Sequence, residues 1–131
     1  MKKVSIIIPL YNLEKLIGKC IASALGQDLS PEEYEILVID DGSTDGSLAA
    51  AETAAQGHPN VHVYTKPNEG LSRTRNYGTD RAAGRYVMYL DADDYLEPNV
   101  LGRLVETMEC GGLDMLCFEI AGIDENGNDV P

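Results

Sequence analysis

The feature that most constrains this chain is a regular alternation of short apolar runs with amphipathic stretches. Residues 4–9, 35–40, 61–64 and 86–90 are apolar and rich in β-branched or aromatic side chains, and each run passes directly into polar, acidic or prolyl residues. Between the first two, Leu13, Leu16, Ile17, Cys20, Ile21, Ala24 and Leu25 recur at three- and four-residue steps, which predicts a helix from about residue 13. An alanine-rich helix should follow the second run, capped by Ser43 or Thr44 and stopped by Gly57, Pro59 and Asn60. A third helix is expected after the 66–70 loop, and a fourth from near Pro98 to Gly111 and Gly112. Residues 113–120 read as a further strand and residues 122–131 as a polar tail. This order predicts an α/β fold: one domain over residues 1–131, with a mostly parallel central sheet and helices on both faces.

Charge and composition narrow the function classes. The chain carries 22 acidic against 10 basic residues, a net charge of −12, which repels a polyphosphate backbone and argues against nucleic-acid binding. A small, highly charged ligand could still be held through a divalent cation. No apolar run approaches the about 20 residues needed to span a bilayer, so no membrane span is expected. Lys2 and Lys3 precede an apolar run, but Pro9 breaks it and no small-residue cleavage site follows, which points to a cytoplasmic chain. Cys20, Cys110 and Cys117 are odd in number, widely spaced and set in apolar patterns, so they are expected to be buried free thiols.

In parallel α/β sheets ligands bind beyond the carboxyl ends of the strands, where strand order reverses. The residues at those ends therefore matter most. Asp91 and Asp93 stand two apart in what reads as an extended exit from the fourth run, so both carboxylates can face one point. Such a pair repels unless a cation sits between its members. Few carboxylates with open positions suit Mg²⁺ or Mn²⁺ completed by a diphosphate. Tyr11 offers an aromatic face and Asp40 an acceptor at neighbouring strand ends, a pair suited to stacking on a base such as uracil and accepting its N–H. Arg73 and Arg75 cannot share one helical face, so one is expected to be a functional contact and the other a surface charge.

Four stretches together resemble the successive motifs of glycosyltransferase family 2, inverting enzymes with the GT-A fold. These are VSIIIPLYN at 4–12, VIDDGSTD at 38–45, NEGLS at 68–72 running into RNYG at 75–78, and LDADD at 90–94. The resemblance implies a Rossmann-like GT-A domain that binds a nucleotide-diphospho-sugar, commonly a UDP-sugar, and transfers the sugar to a glycan, lipid or protein acceptor. It implies donor contacts from Pro9, Tyr11, Asn12, Asp40, Asp41, Arg75 and Asp91. It also makes Asp91 and Asp93 the D-x-D pair, with Asp93 the direct ligand of Mn²⁺ or Mg²⁺.

Inversion requires a carboxylate base for the acceptor hydroxyl. In the family that base lies well beyond the D-x-D motif, whereas 37 residues follow Asp94 here. Asp114, Glu119, Asp124, Glu125 and Asp129 have no matching context. The expectation is therefore the donor-binding part of a longer enzyme, with the base beyond Pro131 and a location in the cytoplasm or at the inner face of a membrane. Other classes fit less well. A phosphoacceptor receiver domain needs an acidic pair after the first strand and a lysine after the fifth, and the last lysine here is Lys66. A dinucleotide-dependent oxidoreductase needs a G-x-G-x-x-G turn after the first strand, where Pro9 to Asn12 stand instead. A non-catalytic nucleotide-sugar binding module would share every motif quoted and also lack the base.

Overall fold

Two strands form the centre of the computed structural model, which describes residues 1–117, 122, 123, 126 and 128–130. Strands β1 (Val4–Leu10) and β2 (Tyr34–Asp41) pair in parallel, and every residue of both is buried. Their runs of isoleucine, leucine and valine suit strands covered on both faces. Strand β3 (Val61–Lys66) joins β2, and β4 (Tyr86–Tyr89) joins the other side of β1, giving the parallel order β3-β2-β1-β4. The order reverses between β1 and β4.

Period-two alternation sends Ile6, Ile8, Leu10, Ile36 and Val38 into one core. There they meet Ile17, Cys20, Ile21 and Ala24 of α1 (Ile17–Leu25), Ala51 of α2 (Ser47–Ala55), and Leu101 and Val105 of α4 (Leu101–Gly111). Ile7, Leu37 and Ile39 face the opposite side, under Tyr77 of α3 (Leu71–Arg81). Helix α3 rides close on the sheet: a Cβ on Gly78 would stand 2.6 Å from Ile7 Cγ2. Helices of nine residues, such as α1 and α2, are marginal alone, so tertiary burial holds them, at about 1.5–3 kcal/mol per fully buried large apolar side chain.

Several boundaries differ from the sequence expectation. Helix α1 begins at Ile17 rather than near Leu13: residues 14–16 form a turn in which the Leu13 carbonyl accepts from the Leu16 and Ile17 N–H groups, while the Leu13 and Glu14 amides donate to Ser47 Oγ and Asp45 Oδ2. Helix α2 begins at Ser47, whose N–H donates to Asp45 Oδ1 at 2.9 Å; Ser43 and Thr44 bond Asn12 instead of capping. Helix α4 starts three residues after Pro98, since Asn99 adopts a left-handed φ of 57°. Residues 113–117 are not in a strand, and 118–120 lie outside the described residues. The tail contributes two short antiparallel strands, β5 (Gly122–Ile123) and β6 (Asp129–Val130). Of the cysteines only Cys20 is buried. Cys110 lies off the Leu101, Val105 and Met108 face of α4, and Cys117 is also exposed.

Candidate functional site

Because the sheet is parallel, the segments after its strands gather on one edge. A cleft of about 390 Å³ opens there, lined by Pro9 near the end of β1, Tyr11 and Leu13 after it, Asp41 at the end of β2, Asn68 and Thr74 around the start of α3, and Asp91, Ala92 and Asp93 after β4. It lies across the point where strand order reverses. A smaller depression of about 300 Å³, lined by Arg85, Tyr86 and Asp114, sits by the first residue of β4, at the opposite end of the sheet.

Alternation along β2 separates the two aspartates that end it. Asp40 is 2% exposed, accepts from Thr65 Oγ1 at 3.1 Å through Oδ2, and does not line the cleft; its Oδ1 is buried without a partner. Asp41, on the cleft side, gathers four donors. Its Oδ1 accepts from Lys66 Nζ and the Glu69 N–H, each at 2.9 Å, and its Oδ2 from the Gly70 N–H at 3.1 Å and Asn68 Nδ2 at 3.3 Å. Burial alone pushes this carboxyl up, but the Lys66 ammonium and the two amides outweigh it and hold the pKa below the usual carboxylate value. Asp41 thereby fixes the 67–70 loop that forms one wall. The approach is close: at Gly42, with φ of 68°, a Cβ would lie 2.7 Å from the Asn68 nitrogen.

The opposite wall carries the acidic turn. Residues 91–94 form a turn rather than an extended exit, with the Asp94 N–H donating to the Asp91 carbonyl at 3.0 Å. The turn brings a third carboxylate to the pair: one oxygen each of Asp91, Asp93 and Asp94 lie within 4.8 Å of one another. Partial desolvation, and then the charges of Asp93 and Asp91, push the Asp94 carboxyl above its usual range. Arg75 Nη2 reaches Asp91 Oδ1 at 3.2 Å, while Arg75 Nε is buried without a partner. The Cys20 thiol, beneath the turn, donates to the Asp91 carbonyl at 3.5 Å; burial and then the same three carboxylates raise its pKa to about 12, so it stays protonated. Crowded hard oxygens with one neutralising arginine among three acids fit a divalent cation.

Residues 5–131 match the family model described as Glycosyl transferase family 2. The chain belongs to glycosyl transferase family 2. It is 36% identical over 131 residues to a poly(ribitol-phosphate) beta-glucosyltransferase of Bacillus spizizenii, a match covering 98% of this chain and 20% of that protein. Its fold superposes on residues 1–349 of S. aureus TarS in complex with UDP with a TM-score of 0.76, at 32% identity, over 82% of this chain and 32% of that one. The mannosyltransferase PcManGT of Pyrobaculum calidifontis, in complex with GDP-Man and Mn2+, gives a TM-score of 0.73 at 26% identity, over 82% of this chain and 31% of that one. The chain thus spans between 20% and 32% of the length of these relatives. Its four-stranded parallel sheet with flanking helices is the GT-A arrangement expected from the motifs.

The other residues singled out within this family 2 chain fall into two groups. Tyr11 is 46% exposed and Pro9 lies beside it on the cleft. Asn12 does not line the cleft: at φ of 50° it ties two rim segments together, accepting from the Thr44 N–H at 2.8 Å while its own N–H donates to Ser43 Oγ. Arg73, with its side chain 74% exposed, pairs with Glu69 on the surface, and Arg75 is the arginine at the site. Lys66 and Asn68, which bind Asp41, were not anticipated, although a lysine ending a β-rich run beside two acidic strand-end residues is a recognisable signal. Asp114 lies away from the cleft, and Glu119, Asp124 and Glu125 lie outside the described residues. Among the described residues no helix is long and apolar enough to cross a membrane.

Proposed function

We propose that this chain binds a nucleotide-diphospho-sugar, with UDP as the nucleotide, together with Mn²⁺ or Mg²⁺, as the donor-binding part of an inverting glycosyltransferase. The observation that carries this reading is one cleft presenting an exposed aromatic ring and a fixed carboxylate at one side, and at the other Asp91 and Asp93, which crowd with Asp94 into a cluster of three mutually repelling carboxylates. Tyr11 supplies the face on which the base stacks. Asp41, rather than Asp40, is placed to accept a base N–H. Its longest contact is to Asn68 Nδ2 at 3.3 Å, and that nitrogen also holds the Asp41 carbonyl at 3.0 Å, so releasing the carboxylate leaves Asn68 bonded.

Asp93 and Asp91 would hold the cation, with Asp94 beside them. A divalent ion there supplies Lewis-acid stabilisation of the negative charge that develops on a departing diphosphate. Arg75 restrains Asp91 and keeps an unspent Nε donor next to the acidic turn. We assign no carboxylate of this cleft to deprotonating an acceptor: Asp41 is held ionised by its donors, and the 91–94 group is committed to the cation. The chain alone is therefore expected to bind donor and transfer sugar poorly, to a glycan, lipid or protein hydroxyl.

Isothermal titration with UDP, with and without Mn²⁺, tests the reading. Binding that strengthens with Mn²⁺ supports it, and the absence of binding in both conditions rejects it. Repeating the titration with GDP identifies the base.

A further inference from the structure

The segment that carries the acidic turn is fastened to the molecule along one helix. From Asp91 to the start of α4 it meets the C-terminal half of α1 and the three residues past it, through Cys20, Ser23 and Gln27 at three- and four-residue steps and then Asp28. Cys20 donates to the Asp91 carbonyl at 3.5 Å. Ser23 Oγ accepts from the Leu96 N–H at 3.0 Å while donating to the Cys20 carbonyl at 2.7 Å. The Gln27 carboxamide uses both ends: Nε2 donates to the Glu97 carbonyl at 2.9 Å, and Oε1 accepts from the Val100 and Leu101 N–H groups, each at 3.0 Å. Asp28 Oδ1 then accepts from the Gly102 N–H at 2.7 Å.

These bonds take the place of local structure that the segment lacks. The N-cap of α4 is Val100, which offers no side-chain acceptor, so Gln27 and Asp28 cap α4 from another element. The fit is close at the far end, where a Cβ on Gly102 would lie 2.9 Å from both Asp28 carboxylate oxygens. None of the four side chains lines the cleft. Resting on the reading of the 91–94 turn as a cation site, we propose that Ser23 and Gln27 are positioning residues of that site: they hold the segment after the turn against α1 and so keep three repelling carboxylates converged. Without them the turn relaxes outward, because charge repulsion among Asp91, Asp93 and Asp94 favours separation. Positioning contacts behind ligands are commonly worth about tenfold to a hundredfold in metal affinity.

The test compares wild type with Ser23→Ala, Gln27→Ala and Gln27→Glu by Mn²⁺ titration, read from the free-ion electron paramagnetic resonance signal, and by amide hydrogen exchange in metal-free protein. The two alanine variants should bind Mn²⁺ about tenfold more weakly. Hydrogen exchange should accelerate at Leu96 in Ser23→Ala and at Val100 and Leu101 in Gln27→Ala. Gln27→Glu keeps the acceptor for the α4 amides but loses the Nε2 donor to the Glu97 and Ser23 carbonyls, so it should retain protection at Val100 and Leu101 while still losing Mn²⁺ affinity. A purely structural cap would change melting and leave Mn²⁺ affinity of the folded protein untouched. Unchanged Mn²⁺ affinity in all three folded variants, with wild type binding normally, overturns the positioning role alone. Wild type that binds no Mn²⁺ overturns the cation-site reading and the positioning role with it.

Discussion

Asp41 and the 91–94 turn stand on two walls of one cleft and treat negative charge in opposite ways. Asp41 is almost fully buried, yet four donors surround it, one of them the Lys66 ammonium, and its pKa is held low. Asp91, Asp93 and Asp94 are exposed and share one arginine contact; partial burial and then the charges of Asp93 and Asp91 push the Asp94 carboxyl up, and burial and then all three carboxylates push up the Cys20 thiol beneath them. A saturated carboxylate is satisfied by the protein before any ligand arrives, so a base N–H at Asp41 has to take the place of the Asn68 contact. An unsaturated cluster is a binding part, because its repulsion is relieved only by something that arrives. Position at a strand end does not distinguish the two; the count of donors does.

The contrast can be broken most forcibly at Asp41. Asp41→Ala strands the buried Lys66 ammonium and the Glu69 and Gly70 amides, and should lower unfolding free energy by about 3 kcal/mol, the lower part of the range for breaking a buried pair, because Lys66 keeps its 3.1 Å contact to Glu69. Urea denaturation measures this. The depressed pKa sets its pH dependence: the stabilisation is complete above the ordinary carboxylate value of 3.8 and fades as pH falls through the lower folded value. Wild type and Asp41→Ala should therefore converge in stability at strongly acid pH, and a difference that persists there would assign the loss to packing instead.

The acidic turn should respond to divalent ions. Mn²⁺ at about a hundred times its Kd should stabilise the chain by about 2.7 kcal/mol, visible as a rise in Tm. A Tm indifferent to Mn²⁺ would place the turn with the structural carboxylates. Asp93→Ala should cost about a hundredfold or more in the Mn²⁺-dependent component of UDP affinity, since losses behind metal ligands alone reach about that size. Calorimetry that finds the metal dependence intact would remove Asp93 from its role. Arg75→Ala gives the smallest effect on the fold: with Arg75 and Asp91 both substantially solvated, stability should change by less than about 1 kcal/mol. A larger loss would mean that the turn depends on this arginine to stay folded.

Much of this was legible from residues 4–94. The runs that became β1 and β2 hold unbroken apolar stretches at 6–8 and 36–39, which mark strands buried on both faces, and the polar residues after them had to fall on one edge once the sheet was parallel. Helical spacing implied that only one of Arg73 and Arg75 reaches the site, and the motif resemblance singled out Arg75, which pairs with Asp91. What the sequence could not convey depended on register and on loops. Choosing between Asp40 and Asp41 requires knowing which face of β2 the α3 helix covers, and adjacent residues read alike in a chain. The donors on Asp41 come from 25 to 29 residues away. The aspartates after β4 converge through a turn, where strand alternation had been expected, and this is what adds Asp94. Cys110 was misplaced because an apolar neighbourhood in sequence need not lie on the buried stripe of a helix.

Helix α1 makes the rim and the far edge of the sheet one mechanical body. The chain entering it is tied to the α2 side of the rim through Leu13 and Glu14, Cys20 within it bonds the Asp91 carbonyl, and Ser23 and Gln27 hold residues 96–101 further along. Its last turn sits by Tyr34, the first residue of β2, whose hydroxyl donates to the Ala24 and Leu25 carbonyls, so nine residues, about 13 Å, carry these ties from the cleft edge to the opposite one. Inserting or deleting one residue would turn the exit by about 100° and part the ties on one side of the change from those on the other.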